Sequence, residues 1–180
     1  MIRLATIADV PYIVSLANKE SFCLGFIPKM AYESAITGIK KGKRWSDTCN
    51  DRLFVCEENG DLVGFTLFSY GVISKCNQIC IQQDARLISR GQALLSSAIS
   101  HGNLVGREDF ACGCADDLAS NFFWQQMGWV RVGERKGISH KNTWKESSKR
   151  KINIYRYQTS SLFMNGFGMI LPKAGVTIAV

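Results

Sequence analysis

The most constraining feature of this sequence is residues 78–95, where an apolar strand pattern runs through a short loop directly into a helical pattern. The loop contains two small residues, Ser89 and Gly91. Such a junction leaves backbone N–H groups unpaired at a helix N-terminus, where the helix dipole also favours anions. The pattern predicts a phosphate or pyrophosphate cradle, with charge added by Arg86 and Arg90. An ordinary turn with two solvated arginines fits the same residues equally well.

Apolar periodicity along the rest of the chain predicts a mixed α/β domain. The predicted order is β-α-α-β-β-β-α-β-α-β-β, which indicates a mixed sheet. Asn59-Gly60 is typical of a hairpin turn, Asp9 and Asp117 are predicted helix N-caps, and Gly128 is a predicted helix end. Residues 1–158 are predicted to form this domain. The apolar tail, residues 159–180, is predicted to pack on the domain or on a dimer partner.

The charge of the chain is concentrated in one segment. Of the net charge of +7, the whole excess lies between Arg131 and Arg156, where nine basic residues face only two acidic ones. Basic residues with an interleaved aromatic, as at Lys141, Trp144 and Lys145, suit phosphate contact and base stacking. A nucleic-acid partner is one reading of this window, and a solvated loop whose charge aids solubility is the other.

The composition excludes several classes of protein. With 46% apolar and 21% charged residues the chain is neither disordered nor repetitive. Without an apolar run of about 20 residues or a signal-peptide pattern, we expect a cytoplasmic protein with no membrane segment. The seven cysteines are odd in number and lack zinc-ligand spacing, so we expect reduced, mostly buried thiols and no metal.

Several segments resemble the GNAT superfamily of N-acetyltransferases. Residues 86–91 (Arg-Leu-Ile-Ser-Arg-Gly) resemble its phosphate-binding motif, with Ser89 at the first glycine position. Residues 121–129 resemble its Asn-x-Phe-Tyr-x-x-x-Gly-Phe signature, with Trp124 in place of the tyrosine. The opening strand and helix and the hairpin around Asn59-Gly60 also match, so the resemblance covers residues 1–157 in order. It implies a GNAT-like α/β fold whose mixed sheet is mostly antiparallel.

The resemblance implies acetyl coenzyme A as co-substrate and an amine as acceptor. Strand residues 79–81 would pair with the pantetheine arm, and the amides of residues 87–91 would hold the pyrophosphate. Ser89 suits that place if its φ is negative. The implied cofactor-binding set is Ile79, Cys80, Ile81, Arg86, Leu87, Ile88, Ser89, Arg90, Gly91, Gln92, Asn121 and Trp124.

The catalytic groups implied by the family are incomplete here. An indole cannot serve as the acid that the tyrosine would supply, although a thiolate leaves readily without one. Asn77 and Gln78 stand where a glutamate base is often found. The candidate bases that remain are Asp116, Asp117 and Glu33, or a water molecule.

The acceptor is not named by the sequence. The segment between the last two strands borders the acceptor site in this fold, so Lys141, Trp144 and Lys145 are candidate contacts for a small amine, an anionic acceptor or a nucleic acid. The sequence leaves two functional classes. One is an active acetyltransferase, and the other is a non-catalytic GNAT-like protein that senses the cofactor or associates with nucleic acid.

Overall fold

The computed structural model describes residues 1–39, 50–137 and 150–159. These segments form one seven-stranded sheet with helices on both faces. Residues 160–180 of the predicted tail and the acceptor candidates Lys141, Trp144 and Lys145 lie outside the described residues.

The element order agrees with the predicted α/β arrangement except that the first helix is divided. In chain order the elements are β1 (Ile2–Leu4), α1 (Val10–Lys19), α2 (Ser21–Leu24), α3 (Lys29–Thr37), β2 (Asp51–Glu58), β3 (Asp61–Ser69), β4 (Ser74–Ile81), α4 (Ile88–Leu104), β5 (Asp109–Ala115), α5 (Ser120–Gln126), β6 (Val130–Lys136) and β7 (Lys151–Gln158). Within these ranges no helix is long and apolar enough to cross a membrane.

The sheet order is β1-β2-β3-β4-β5-β7-β6, and every neighbouring pair is antiparallel except β4 and β5. The β2–β3 hairpin turns at Asn59-Gly60, where φ is +52° and +89°. Two successive residues with positive φ match the right-handed twist of the flanking strands, as the dipeptide predicts.

Two apolar cores form, one on each face of the sheet. Helices α1 and α3 cover the first core, which includes Ile13, Tyr32 and Phe65. Helices α4 and α5 cover the second core, which includes Phe110 and Trp124. The alternation of side chains along β3 and β4 supplies both cores, so the sheet is buried on both faces around its centre.

The central strands β3 and β4 lie so close that Gly64 of β3 has no room for a side chain. A Cβ at Gly64 would lie 2.6 Å from the backbone oxygen of Cys80 and 2.5 Å from the Cδ1 atom of Ile81. Because one of these neighbours is backbone, a side-chain rotation cannot relieve the contact. A glycine at this position is therefore required by packing.

We expect Gly64→Ala to lower the free energy of unfolding by about 2 kcal/mol or more, because the added methyl must displace the β4 backbone. The matched control is Gly71→Ala, whose Cβ would meet only the Ile73 oxygen at 3.6 Å, an ordinary contact. Urea denaturation measures both. Equal stabilities of the two variants would contradict the close approach of β3 and β4.

The predicted cap Asp9 does not cap α1 with its side chain. It instead accepts hydrogen bonds from the Arg3 guanidinium at 2.8 and 3.0 Å and from the Thr6 amide at 2.7 Å. These bonds, the one from Arg3 above all, lower the pKa of the Asp9 carboxyl to about 2. Asp9 therefore joins the β1 strand to the turn that precedes α1.

The pKa of Asp9 is lower in the folded chain than in the unfolded one, so the contribution of Asp9 to stability is complete above a pH of about 4. It is lost as the pH falls from about 4 to about 2. We therefore expect the free energy of unfolding to fall less steeply over this range in Asp9→Asn than in the wild type. Urea denaturation at a series of pH values measures this difference, and parallel curves would contradict it.

Candidate active site

A gap opens in the centre of the sheet where β4 and β5 part. Their parallel pairing covers only three residue pairs and ends at Cys76 opposite Cys112. At that point β4 contains a bulge, because Leu67 and Phe68 of β3 oppose Gln78 and Cys76, which leaves Asn77 as the extra residue. A bulge bends its strand and increases the local twist. The bulge at Asn77 therefore accompanies the separation of the two strands.

The β4 edge of the gap carries unpaired backbone groups. The amide of Gln82 donates to Val63 at 2.9 Å, and paired residues alternate along an antiparallel ladder. Gln78 and Cys80 therefore pair with β3, whereas the backbone groups of Ile79 and Ile81 face the gap. The Ile81 oxygen accepts a hydrogen bond from Arg86 at 3.2 Å. The backbone of Ile79 therefore offers one N–H donor and one carbonyl acceptor to an extended ligand that enters the gap.

At the end of β4 the chain enters α4 with its first amides uncapped. The helix begins at Ile88, three residues earlier than predicted, so Ser89 and Gly91 lie in its first turn and not in a loop. No side chain caps the helix at Leu87. The amides of Ile88 and Ser89 therefore have no partner within the helix. The dipole of this 17-residue helix adds partial positive charge at the same end.

The two small residues of this turn have different roles. Ser89 is exposed and has a negative φ, because Asn59 is the only non-glycine residue with positive φ in the described ranges. A glycine is therefore not required there. Gly91 is buried, and a Cβ on it would lie 3.0 Å from the Phe123 ring of α5. The glycine lets α4 and α5 pack closely behind the gap.

Both arginines of the turn are bound to protein acceptors. Arg86 pairs with Glu20 at 2.8 Å, and Arg90 pairs with Glu58 and donates to the oxygen of Ala85. The hydrogen bond from Arg90 lowers the pKa of the Glu58 carboxyl. An arriving phosphate would have to compete with these carboxylates for either guanidinium, whereas the helix amides need no exchange of partners.

On the β5 side, Asn121 lies at the edge of the gap with every side-chain atom engaged. Its Nδ2 donates to Ala115 at 2.6 Å and to Leu118 at 2.7 Å. Its Oδ1 accepts from Asn153 and from the Tyr155 hydroxyl, both at 2.9 Å. The side chain thus joins β5, the turn before α5 and β7. This structural role was not predicted from the sequence, because two of the partners lie more than 30 residues away.

Trp124 lies in the core behind the gap. Its side chain is 4% exposed, and its ring packs 4.9 Å from that of Trp129. Trp124 and Ser120 form hydrogen bonds with the Cys114 thiol, and these partly offset the increase in the Cys114 pKa caused by burial. The indole therefore contributes to packing at the position where the family has its tyrosine.

The three candidate bases are not equivalent. Asp116 is exposed on the turn after β5. Asp117 pairs with Arg150 at 2.9 Å and is not the N-cap of α5, which begins at Ser120 after Ala119. The predicted cap at Asp117 is wrong because α5 starts two residues later than the pattern indicates. Glu33 lies on α3, with its carboxylate 3.6 Å from the Lys29 ammonium.

The buried thiols are unsuited to nucleophilic chemistry. Burial raises the pKa of Cys76 and of Cys80 to about 12, and it also raises the pKa of Cys112. Six described cysteines are free thiols and five of them are buried, as predicted. In the described ranges no group of three or more His, Cys, Asp or Glu side chains could hold a metal ion.

We expect Asn121→Ala to lower the free energy of unfolding by about 2–4 kcal/mol, because it leaves the Tyr155 hydroxyl and the Asn153 amide without their acceptor. The control is Asn103→Ala, which removes one exposed hydrogen bond with Thr159. Urea denaturation without any ligand is the measurement. A loss no larger than that of the control would contradict the structural role of Asn121.

Comparison with solved structures identifies the fold. No family model and no curated protein matches the sequence. An acetyltransferase of the GNAT family from Streptococcus pneumoniae is 16% identical, with a TM-score of 0.67 over 88% of this chain and 98% of that one. The ribosomal-protein-alanine N-acetyltransferase from Brucella melitensis is 16% identical, with a TM-score of 0.62 over 88% and 99%.

A third structure was solved with acetyl coenzyme A bound. It is described as a streptothricin acetyltransferase from Bacillus anthracis and is 13% identical, with a TM-score of 0.56 over 71% of this chain and 67% of that one. The mixed, mostly antiparallel sheet agrees with the resemblance in the sequence. This chain has the fold of the GNAT N-acetyltransferases.

Proposed function

We propose that this protein is an N-acyltransferase that moves an acetyl group from acetyl coenzyme A to an amine. The observation that carries the proposal is the β4–β5 gap, which has unpaired backbone on β4 and the uncapped N-terminus of α4 at its end. An extended ligand arm that contains amides and ends in a pyrophosphate would fit both features. Its amides can pair with the β4 backbone, and its pyrophosphate can accept hydrogen bonds at the N-terminus of α4. The fold supports the same reaction class.

The groups that would hold acetyl coenzyme A follow from this geometry. The backbone of Ile79 and Ile81 would pair with the pantetheine amides. The amides of Ile88 and Ser89 would donate to the pyrophosphate, and the Ser89 hydroxyl can add a bond. Arg86 and Arg90 would contribute charge by exchanging partners with Glu20 and Glu58. Cys80, Leu87, Gly91 and Gln92 complete the proposed binding segment, in which the Cys80 backbone pairs with β3 and so keeps Ile79 and Ile81 facing the gap.

The chemistry requires little from side chains. The amine nitrogen attacks the thioester carbonyl carbon, a C–N bond forms, and the C–S bond breaks as the coenzyme A thiolate leaves. The Ile79 amide can donate to the oxygen that gains negative charge. The ammonium proton passes to water or to Asp116, which is the exposed candidate near the end of β5. A thiolate needs no acid to leave at neutral pH, so the loss of the tyrosine at Trp124 is tolerated.

For the acceptor, only a chemical class is proposed. The basic window between Arg131 and Arg156 supports an anionic acceptor, a nucleotide or a nucleic acid. Within the described part of this window, Arg131, Arg150 and Arg156 are already paired with carboxylates. Lys141, Trp144 and Lys145 are the proposed contacts with such an acceptor.

A second function is favoured by the packing of Trp124. With its indole buried and no acid in its place, the protein could bind acetyl coenzyme A as a sensor without transferring the acetyl group. The two functions differ in one measurement. A thiol-release assay over pooled amines, nucleotides and tRNA gives free coenzyme A only in the first case, whereas calorimetry detects binding in both.

We expect Ser89→Glu to abolish or greatly weaken acetyl coenzyme A binding without destabilising the fold. A carboxylate in the first turn stabilises a helix by about 0.3–1 kcal/mol and repels a phosphate at the same place. Calorimetry should show a dissociation constant raised by about tenfold or more, since one charged contact is worth at least 1.4 kcal/mol.

Two controls isolate the position of the charge. Ser89→Gln has a similar shape without charge, and Ser96→Glu adds the same charge in the middle of α4, where the residue is exposed. Both should bind acetyl coenzyme A within about threefold of the wild type. If Ser89→Glu binds as well as Ser96→Glu, the pyrophosphate does not lie at this helix N-terminus. If the wild type does not bind acetyl coenzyme A, both functions fail.

A further inference from the structure

Arg150, immediately before β7, contacts two separate segments at once. Its Nε donates to the Asp117 carboxylate at 2.9 and 3.1 Å. Its Nη1 donates to the Phe22 backbone oxygen at 2.7 Å, and its guanidinium carbon lies 4.3 Å from the centre of the Phe22 ring. We name Arg150, Asp117 and Phe22 the α2 clamp.

The two segments joined by the clamp lie on opposite sides of the β4–β5 gap. Phe22 belongs to α2, whose next turn is held against β4 by the Gln78 amide, 3.2 Å from the Gly25 oxygen. Asp117 belongs to the turn that follows β5, and Arg150 precedes β7, the strand paired with β5. Arg150 therefore crosses from the β5–β7 side of the gap to the β4 side.

Helix α2 needs this support because it has little of its own. It contains four residues, none of them buried, and Phe22 is 71% exposed. It is held from the β4 side through the Gln78 contacts with Leu24 and Gly25. Leu24 also packs against the first core, and Glu20 before α2 pairs with Arg86. The clamp adds a contact from the other side of the gap.

We propose that Arg150 is a positioning residue that holds α2 at a set distance from the β5–α5 turn and so defines the opening through which the acceptor amine reaches the thioester. This role rests on the proposed acetyl transfer. Asp117 then anchors Arg150 and is not the base. Arginine is suited to the task because its planar group can pair with a carboxylate, donate to a carbonyl and stack on a ring simultaneously, which an ammonium cannot do.

The first test measures α2 directly by hydrogen exchange and mass spectrometry on the full chain without ligand. In Arg150→Ala we expect amides of residues 21–27 to exchange about tenfold faster or more, the factor implied by the loss of one charged hydrogen bond. Arg150→Lys should lie between this variant and the wild type. Asp117→Asn should shift exchange in the same direction by a smaller factor, because it removes the charge of the pair while the amide oxygen can still accept from Arg150.

The matched control is Arg107→Ala, which removes the same charge at the turn between α4 and β5. It should leave exchange at residues 21–27 unchanged. Unaltered exchange there in Arg150→Ala and Asp117→Asn would overturn the clamp. If Arg150→Ala does not fold, exchange at residues 21–27 in Asp117→Asn tests the clamp by itself, because this substitution preserves the volume of the side chain.

The second test separates positioning from a merely structural contact. Arg150→Ala should keep its dissociation constant for acetyl coenzyme A within about threefold of the wild type and lower kcat for thiol release about tenfold or more. Faster α2 exchange with unchanged kcat would overturn the positioning role. A wild type that neither binds acetyl coenzyme A nor releases thiol would refute the proposed function and with it the positioning role. The hydrogen-exchange measurement would still test the clamp in that case.

Discussion

The bulge at Asn77, where β4 leaves its parallel partner β5, is the constraint on which the rest of the site depends. Without it the parallel ladder could continue past Cys76, and the backbone groups of Ile79 would be paired inside the sheet. With the bulge, β4 bends away from β5 while its hydrogen bonds with β3 are kept. The gap therefore exists because the pairing of β4 with β5 is short, whereas the β3–β4 and β5–β7 pairings run along most of each strand.

The charges around the gap are balanced within the protein. Arg86, Arg90 and Arg150 each pair with a carboxylate from a segment distant in sequence. Such pairs on a partly exposed surface stabilise weakly, so their main effect is to fix where segments lie. A bound anion can exchange with them at small cost. The binding surface is thus held in shape before any ligand arrives, and the helix amides remain the available donors.

Local patterns predicted the parts of the structure that depend on local physics. The Asn59-Gly60 turn, the glycine that follows α5 at Gly128 and the apolar faces of the helices all follow from residues within a few positions of one another. Predictions of helix starts were less accurate. The start of α4 at Ile88 and of α5 at Ser120 depends on how each helix meets the sheet, which periodicity does not encode.

The sequence by itself determined the fold class, the segment of β4 and α4 that forms the candidate cradle, and the excess of positive charge between Arg131 and Arg156. These are properties of neighbouring residues and of composition. Only the tertiary structure decided that Asn121 joins β5 to β7, that Trp124 packs in the core, and that Arg150 reaches Phe22. Each of these contacts joins residues far apart in the chain, and pairing over such distances is selected by the packing of the whole sheet.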